Sequence, residues 1–160
     1  MQDWAIASLR IYSQFLTAEE IGRLLQSVPT HSFEKGTPIS TRNPTGPARD
    51  QSIWVLSSRL DGSKHLDEHI EELVTFIEQK LPQLEKLCSS CEIDLFCGFS
   101  FAGGQGGFEL GSALLKRLTA LPVDIVFDLY STSPVSDVEE NPTKGREDLR
   151  DLRKVKKLKK

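Results

Sequence analysis

Residues 91–130, CEIDLFCGFSFAGGQGGFELGSALLKRLTALPVDIVFDLY, decide the fold. The segments 92–97 and 123–130 are rich in β-branched and aromatic residues and are bounded by turn residues, which predicts two strands. Between them lie the glycine run Gly103–Gly107 and a leucine-rich segment, 114–118, that reads as a helix. The stretch therefore predicts a strand, a loop, a helix and a second strand.

The first thirty residues predict a strand followed by a helix. Ala5–Ser13 alternates between apolar and polar side chains, as is typical of a half-buried strand. Thr17 and Glu20 have the spacing of a capping box, in which each side chain accepts a hydrogen bond from the other residue's backbone N–H. The helix that they open is expected to end before Pro29, because the residue preceding a proline disfavours the helical conformation.

The middle of the chain predicts an irregular segment, a strand and a broken helix. Thr30–Asp50 contains several prolines and glycines, and an irregular segment of that size is functional or mobile. Ser52–Ser58 has the composition of a strand. Leu66–Leu81 carries apolar residues at helical spacing, and a break is expected at Pro82 because proline removes a helical hydrogen bond.

These elements together predict one α+β domain over residues 4–132. We expect a mainly antiparallel or mixed sheet of about four main strands with the helices on one face, in a ferredoxin-like or related arrangement. A doubly wound α/β sheet is the alternative if all crossovers are parallel and right-handed. Residues 133–160 are expected to form a charged, disordered tail.

The distribution of charge limits the partners. The chain carries a formal net charge of −3, and residues 137–160 hold nine basic and six acidic residues, so the remainder is acidic. An acidic body disfavours nucleic acid, whose phosphates need clustered lysine and arginine. We expect no membrane span and no secretory signal, since no apolar run is long enough and Met1–Asp3 has no basic region. Three cysteines without framework spacing predict a reducing cytoplasm.

The glycine run Gly103–Gly107 has two interpretations. It can be a turn before a short strand at Phe108–Leu110, where glycines supply positive φ angles. It can also be a nest of backbone N–H groups that binds an anion. The run lacks the Gly-Lys-Ser/Thr of a P-loop and the spacing of a dinucleotide fingerprint, so the turn is favoured.

Metal and nucleophile sites are disfavoured. His65, His69, Cys88 and Cys91 are zinc-ligand types, but a continuous helix would separate the two pairs by about 28 Å. We therefore expect two exposed histidines, a loop with two thiols, no metal and no cofactor. No serine lies in a Gly-x-Ser-x-Gly elbow, so no catalytic residue is assigned.

The face of the sheet opposite the predicted core is the candidate site. It combines aromatic and charged residues, which suits a pocket or a partner site with Thr30–Asp50 as a cover. The alternative is a second small core in which Arg10 and Asp128 are simply paired, because register cannot be read from sequence. If their strands are neighbours, these two residues would form a bidentate contact. The candidate ligand- or partner-binding residues are Arg10, Tyr12, Trp54, Phe96, Asp128, Tyr130, Gly106 and Gly107.

An ordered set of short motifs runs through the chain from residue 5 to residue 131. It comprises Ala7–Ile11, Leu16-Thr17, Glu20-Ile21, Leu25, Pro29-Thr30, Lys35–Pro38, Trp54, Phe96–Gly98, Gly106–Phe108, Leu110 and Asp128–Tyr130. This set resembles the family of domains of unknown function numbered 4279, whose known members are mostly bacterial. The resemblance implies domain boundaries but no established activity. Where that family closes the first helix with Leu-Gly, this chain has Leu25-Gln26-Ser27.

Two classes of function follow. The first, which we favour, is a non-catalytic binding or regulatory module whose aromatic and charged face holds a protein or small-molecule partner; a homodimer is also compatible. The second is a small hydrolase or transferase with Asp94, Asp124 or Asp128 as acid or base and Gly103–Gly107 as an oxyanion or anion site. The missing nucleophile and metal constellations count against an enzyme.

Overall fold

Five strands and four helices lie within residues 4–103 and 105–132, the parts of the chain that this computed structural model describes. The expected tail, 133–160, lies outside the described residues. The strands are β1 (Trp4–Ser13), β2 (His31–Phe33), β3 (Ser52–Ser57), β4 (Cys91–Ala102) and β5 (Asp124–Thr132). The helices are α1 (Ala18–Leu25), α2 (Leu66–Gln79), α3 (Leu81–Leu87) and α4 (Ser112–Thr119).

The strands form one mixed sheet in the order β2-β3-β1-β4-β5. The first strand lies in the centre and runs antiparallel to β3 and to β4, while β2 pairs antiparallel with β3. β4 and β5 are parallel and are joined through α4, since a parallel pair needs a crossover connection. The predicted α+β class with a mixed sheet is confirmed, and the strand beyond the expected ones is the three-residue β2.

The four helices pack on one face of this sheet. Ala5, Ala7, Leu9 and Ile11 of β1 alternate toward that face and are almost completely buried. Two adjoining clusters make up the core: α2 and α4 contribute to one, and α1, α3 and the end of α2 to the other. A doubly wound sheet would place helices on both faces, so that alternative does not fit the described helices.

α1 begins and ends as its local chemistry dictates. The Thr17 hydroxyl accepts a hydrogen bond from the Glu20 backbone at 3.1 Å, and the Glu20 carboxylate accepts one from the Thr17 backbone at 2.8 Å, so the predicted capping box is confirmed. The helix ends at Gln26, whose φ of 50° is left-handed. Glycine is the residue that adopts this conformation without strain.

Replacing Gln26 with glycine is expected to stabilise the protein by about 0.5–1 kcal/mol, because a non-glycine residue strains in the left-handed region. Gln79 provides the matched control: it is an exposed glutamine within the last turn of α2, where glycine should instead cost up to about 1 kcal/mol. Urea denaturation of both variants measures the two effects. Equal destabilisation by both substitutions would contradict the prediction.

The long helical region is broken where proline predicts it. α2 ends at Gln79, Lys80 has non-helical angles, and Pro82 lies in the first turn of α3, where its missing N–H has no helical partner to lose. Within residues 4–103 and 105–132, no helix combines the length and the apolar character that crossing a membrane requires.

Two expectations about loops need revision. The segment Thr30–Asp50 contains β2 and an isolated bridge between Pro38 and Ala48, so it is partly structured. The short strand expected at Phe108–Leu110 is wrong, since these residues are irregular. Their side chains are held without sheet pairing: Phe108 stacks on Phe127 with ring centroids 5.2 Å apart, and Leu110 packs against the core.

Candidate binding face

The face of the sheet that points away from the helices is called the open face. Strand register fixes its members, because side chains alternate between the two faces and paired residues share a face. They include Trp4, Ile6, Ser8, Arg10 and Tyr12 of β1, His31 and Phe33 of β2, Ile53, Val55 and Ser57 of β3, Glu92, Asp94, Phe96, Gly98 and Ser100 of β4, and Asp124, Val126, Asp128 and Tyr130 of β5.

Arg10 and Asp94 form a bidentate ion pair in the middle of the open face. Nε of Arg10 donates to Oδ1 of Asp94 at 2.7 Å, and Nη2 donates to Oδ2 at 2.8 Å. The guanidinium also lies over the ring of Phe96, 4.4 Å from its centroid, and 5.6 Å from that of Tyr12. The side chains are 22% and 10% exposed, so the pair is only partly accessible to solvent. These contacts fix the guanidinium plane against an aromatic surface.

The charge state of this pair follows from its surroundings. Burial alone would lower the pKa of Arg10, but the hydrogen bonds and the charge of Asp94 outweigh burial and raise it. Arg10 is therefore a permanent cation whose charge is balanced by its cross-strand neighbour.

The predicted contact between Arg10 and Asp128 is wrong. β4 lies between their strands, and the residue of β4 that pairs with Arg10 is Asp94. Asp128 instead accepts a hydrogen bond from the Tyr130 hydroxyl and acts on Arg10 only through a weak electrostatic effect on its pKa. Tyr12, Phe96, Asp128 and Tyr130 do lie on the open face as predicted.

Trp54 lies on the other face of the sheet. It pairs with Ile11 and is completely buried against α1, so the prediction that it joins Arg10 is wrong. Alternation along β3 turns Trp54 and Leu56 toward the core, and Ile53 and Val55 take the positions on the open face. The indole N–H has no hydrogen-bond partner among the described residues.

Gly106 and Gly107 lie beyond the far end of β4 and do not contribute to the centre of the open face. A β-carbon on Gly106 would come within 2.3 Å of the Phe101 side chain, so glycine is required there by packing. Gly103 has a φ of 80°, which supports the interpretation of the run as a turn. Asp94 pairs with Asp124 at the other end of β4, about 26 Å from Ala102 by strand rise. That separation disfavours a joint site of the glycine run with Asp94 or Asp124.

A groove of about 820 Å³ lies at the end of the sheet where Asp94 and Asp124 pair. Tyr12, Glu92, Asp94 and Asp124 line it together with apolar residues of the turn that precedes β5. Among the described residues, Asp94 is the only one of the three carboxylates in an ion pair. The groove is therefore acidic, with an aromatic ring in its wall.

The segment Thr30–Asp50 was expected to cover the open face, but it reaches only the β2 edge of that face, which it forms with its own His31 and Phe33. The Glu34 carboxylate accepts from the backbone of Ala18 and from the Ser52 hydroxyl, and the Lys35 ammonium donates to the carbonyl of Gln14. Arg49 lies over the ring of Phe33, 4.0 Å from its centroid. These contacts anchor the segment beside α1 and the start of β3, away from Arg10 and Asp94.

Sequence reasoning missed the pairing of Ser58 with His69. The Ser58 hydroxyl and Nδ1 of His69 are 2.5 Å apart, and His69 is buried, so its expected exposure is wrong. Helical spacing does indicate that His69 is buried, because it lies three residues after Leu66 and four before Leu73, on the apolar stripe of α2. Burial lowers the pKa of His69.

The lowered pKa of His69 predicts a loss of stability in acid. The unfolded chain binds a proton near the usual pKa of about 6.5, whereas the folded chain resists it, so unfolding becomes easier as pH falls below that value. His69→Asn, which keeps a polar atom near Ser58, is expected to show a shallower decline of unfolding free energy between pH 7 and pH 5. His31→Asn changes an exposed histidine of β2 and should retain the wild-type slope. Identical slopes for wild type and His69→Asn would contradict the prediction.

The comparisons with known proteins give one match. A family model described as "Domain of unknown function (DUF4279)" matches residues 3–132, a range that contains all nine described elements. No curated protein and no solved structure matches the chain.

Proposed function

Since the chain belongs to the DUF4279 family of domains of unknown function, which supplies no activity, we propose its function from the open face: it is a non-catalytic binding module. The observation that carries this proposal is the Arg10–Asp94 pair, held by two hydrogen bonds and stacked on Phe96. The partner is a protein segment that lies across this pair and reaches into the acidic groove.

Preorganisation supports binding at this place. The guanidinium of Arg10 is hydrogen-bonded to Asp94 and packed over the ring of Phe96, so a partner would not have to order a long flexible side chain when it binds. The described hydrogen bonds of Arg10 to Asp94 use Nε and Nη2, and Nη1 takes no part in them. Phe96 and Tyr12 add flat apolar surface, and aromatic residues with arginine are enriched in the centres of protein interfaces.

The groove favours a positively charged segment. Glu92 and Asp124 are exposed and stand on either side of Asp94, whose own charge is balanced by Arg10. Complementary potentials increase association rates and exclude partners of like charge. Lysine or arginine side chains of a partner fit this environment, with Tyr12 as a cation–π surface.

The hydrolase or transferase alternative has less support. Asp94 is committed to Arg10, Asp124 pairs with Asp94 about 26 Å from Ala102 along the strand, and the Asp128 carboxylate accepts a hydrogen bond from the Tyr130 hydroxyl. An acid or base and an oxyanion site must contact the same substrate, so this arrangement favours binding.

We also place the module in the cytoplasm. Cys88, Cys91 and Cys97 are all free, and free thiols persist in a reducing compartment. Burial raises the pKa of Cys97 to about 12, which keeps it protonated and unreactive.

A titration followed by NMR tests the proposal. We expect acetylated hexalysine to shift the backbone amide signals of Tyr12, Glu92 and Asp124, and hexaglutamate to leave them unchanged. Asp124→Lys should weaken hexalysine binding by about tenfold, because it reverses a charge in the groove. Glu109→Lys reverses an exposed charge outside the groove and should bind as the wild type does. Equal affinity of both variants, or equal shifts with both peptides, would refute the acidic groove as the binding site.

A further inference from the structure

β5 is an edge strand of the described sheet, and its helix-side row is not covered. It pairs with β4 on one side and stands last in the strand order. Ile125, Phe127 and Leu129 alternate toward the helix side and are 38%, 41% and 55% exposed. A long edge strand with apolar side chains is a template for pairing with another strand. We propose that β5 pairs antiparallel with β5 of a second copy of this chain, with the twofold axis at Phe127.

The position of α4 explains why this row is exposed. Arg117 ties α4 to α2 through Glu78, at 2.8 and 2.9 Å, and through Glu71, at 3.2 Å. Leu115 lies two residues earlier, about 200° around the helix, so it points away from α2, and it is exposed. Phe108 is also at the surface and stacks on Phe127. The apolar surface therefore extends from β5 onto Phe108, and contiguous apolar patches on a protein surface mark interaction sites.

Charge decides the register of the pairing. A twofold axis at Val126 would place Asp124 directly opposite Asp128 of the second copy, and an axis at Asp128 would place the two copies of Asp128 opposite each other. Like charges directly opposite on neighbouring strands are destabilising. An axis at Ile125 would move half of the apolar row beyond the start of the strand. The axis at Phe127 avoids all three defects.

The same register explains why the occupant is a second copy. It places Ile125 opposite Leu129 of the second copy and the two Phe127 rings opposite each other, so each apolar side chain of the row meets another. It places Val126 opposite Asp128 of the second copy on the open face, which keeps the carboxylates apart. A surface that complements itself under a twofold rotation is an isologous interface. The resulting sheet is continuous across both copies and leaves both open faces accessible. Asp124, Ile125 and Val126 also line the groove, so the interface borders the proposed binding site, whereas Phe127 at the axis does not line it.

Analytical ultracentrifugation of the full chain over a wide concentration range tests the pairing. Wild type should show a reversible dimer. Phe127→Lys should raise the dissociation constant by at least about tenfold, because it opposes two like charges at the axis. Leu24→Lys changes another exposed apolar residue, which lies on α1, and should dimerise as the wild type does. Circular dichroism confirms that each variant is folded. A wild type that is monomeric at every concentration would overturn the proposal.

Disulfide cross-linking tests the register even if Phe127→Lys does not fold. In a background with Cys88→Ser and Cys91→Ser, Phe127→Cys should form a cross-linked dimer, because directly opposed β-carbons lie within reach of a disulfide. Val126→Cys should not, since that residue faces Asp128 of the second copy. Cross-linking through Val126→Cys in preference to Phe127→Cys, or through neither, would overturn the proposed axis.

Discussion

Replacing Arg10 with alanine is expected to lower the free energy of unfolding by about 2–3 kcal/mol, because it leaves the Asp94 carboxylate buried without its cation. Asp94 is 7% exposed, and both of its oxygens accept hydrogen bonds from Arg10. The expected loss of stability is smaller than for a completely buried ion pair, because the Arg10 side chain is 22% exposed to solvent. Urea denaturation at neutral pH measures it.

Two further variants identify the cause of that loss. Arg10→Met combined with Asp94→Leu removes both charges while keeping apolar volume and should recover most of the stability, because the desolvation cost disappears with the pair. Arg23→Ala breaks an ion pair with Glu19 in which both side chains are largely exposed, and it should cost about 0.5 kcal/mol or less. A loss of less than about 1 kcal/mol for Arg10→Ala would show that water enters and screens the carboxylate.

Replacing Trp54 with alanine is expected to cost about 3–5 kcal/mol, the range for deleting a large buried aromatic side chain. Trp54 is completely buried between β3 and α1. Gly22 of α1 allows this approach: a β-carbon there would lie 3.2 Å from the indole nitrogen and 3.0 Å from the Ser27 carbonyl oxygen.

Trp54→Phe separates packing from hydrogen bonding. It retains a six-membered aromatic ring, and the polar group that it removes is an indole N–H with no partner in the described part of the chain, so it should cost much less than alanine does. Trp4→Ala removes a partly exposed tryptophan of β1 and should cost about 1 kcal/mol. Thermal and urea unfolding compare the three. If Trp54→Ala and Trp4→Ala were equally destabilising, the burial of Trp54 would be refuted.

Most of the fold could be predicted from local sequence patterns. The capping box at Thr17, the end of α2 before Pro82 and the strands within 91–130 all depend on neighbouring residues, and each appears where the sequence predicts it. His69 also obeyed a local pattern, the apolar stripe of α2, although its type suggested exposure. These features can be predicted because the residues that decide them are close neighbours in the sequence.

The candidate site depended on which distant strands pair with each other, and the sequence was insufficient to predict that pairing. Asp94 and Asp128 are both strand carboxylates that could pair with Arg10, and only the strand order, which places β4 next to β1, decides for Asp94. Trp54 could face either side until the register of β3 was known, because a shift of one residue moves every side chain to the other face. Both errors have the same physical origin: pairing between distant strands is set by the whole core.

The central position of β1 also dictates when this protein can fold. Its neighbours β3 and β4 are completed long after it on the growing chain, and the Arg10–Asp94 contact closes a separation of 84 residues. An emerging chain therefore holds β1 without its β4 partner until the ribosome has made residues 91–102. Non-local closure of this kind slows folding and leaves the nascent strand open to wrong partners, which makes early chaperone contact at β1 an expected need of this topology.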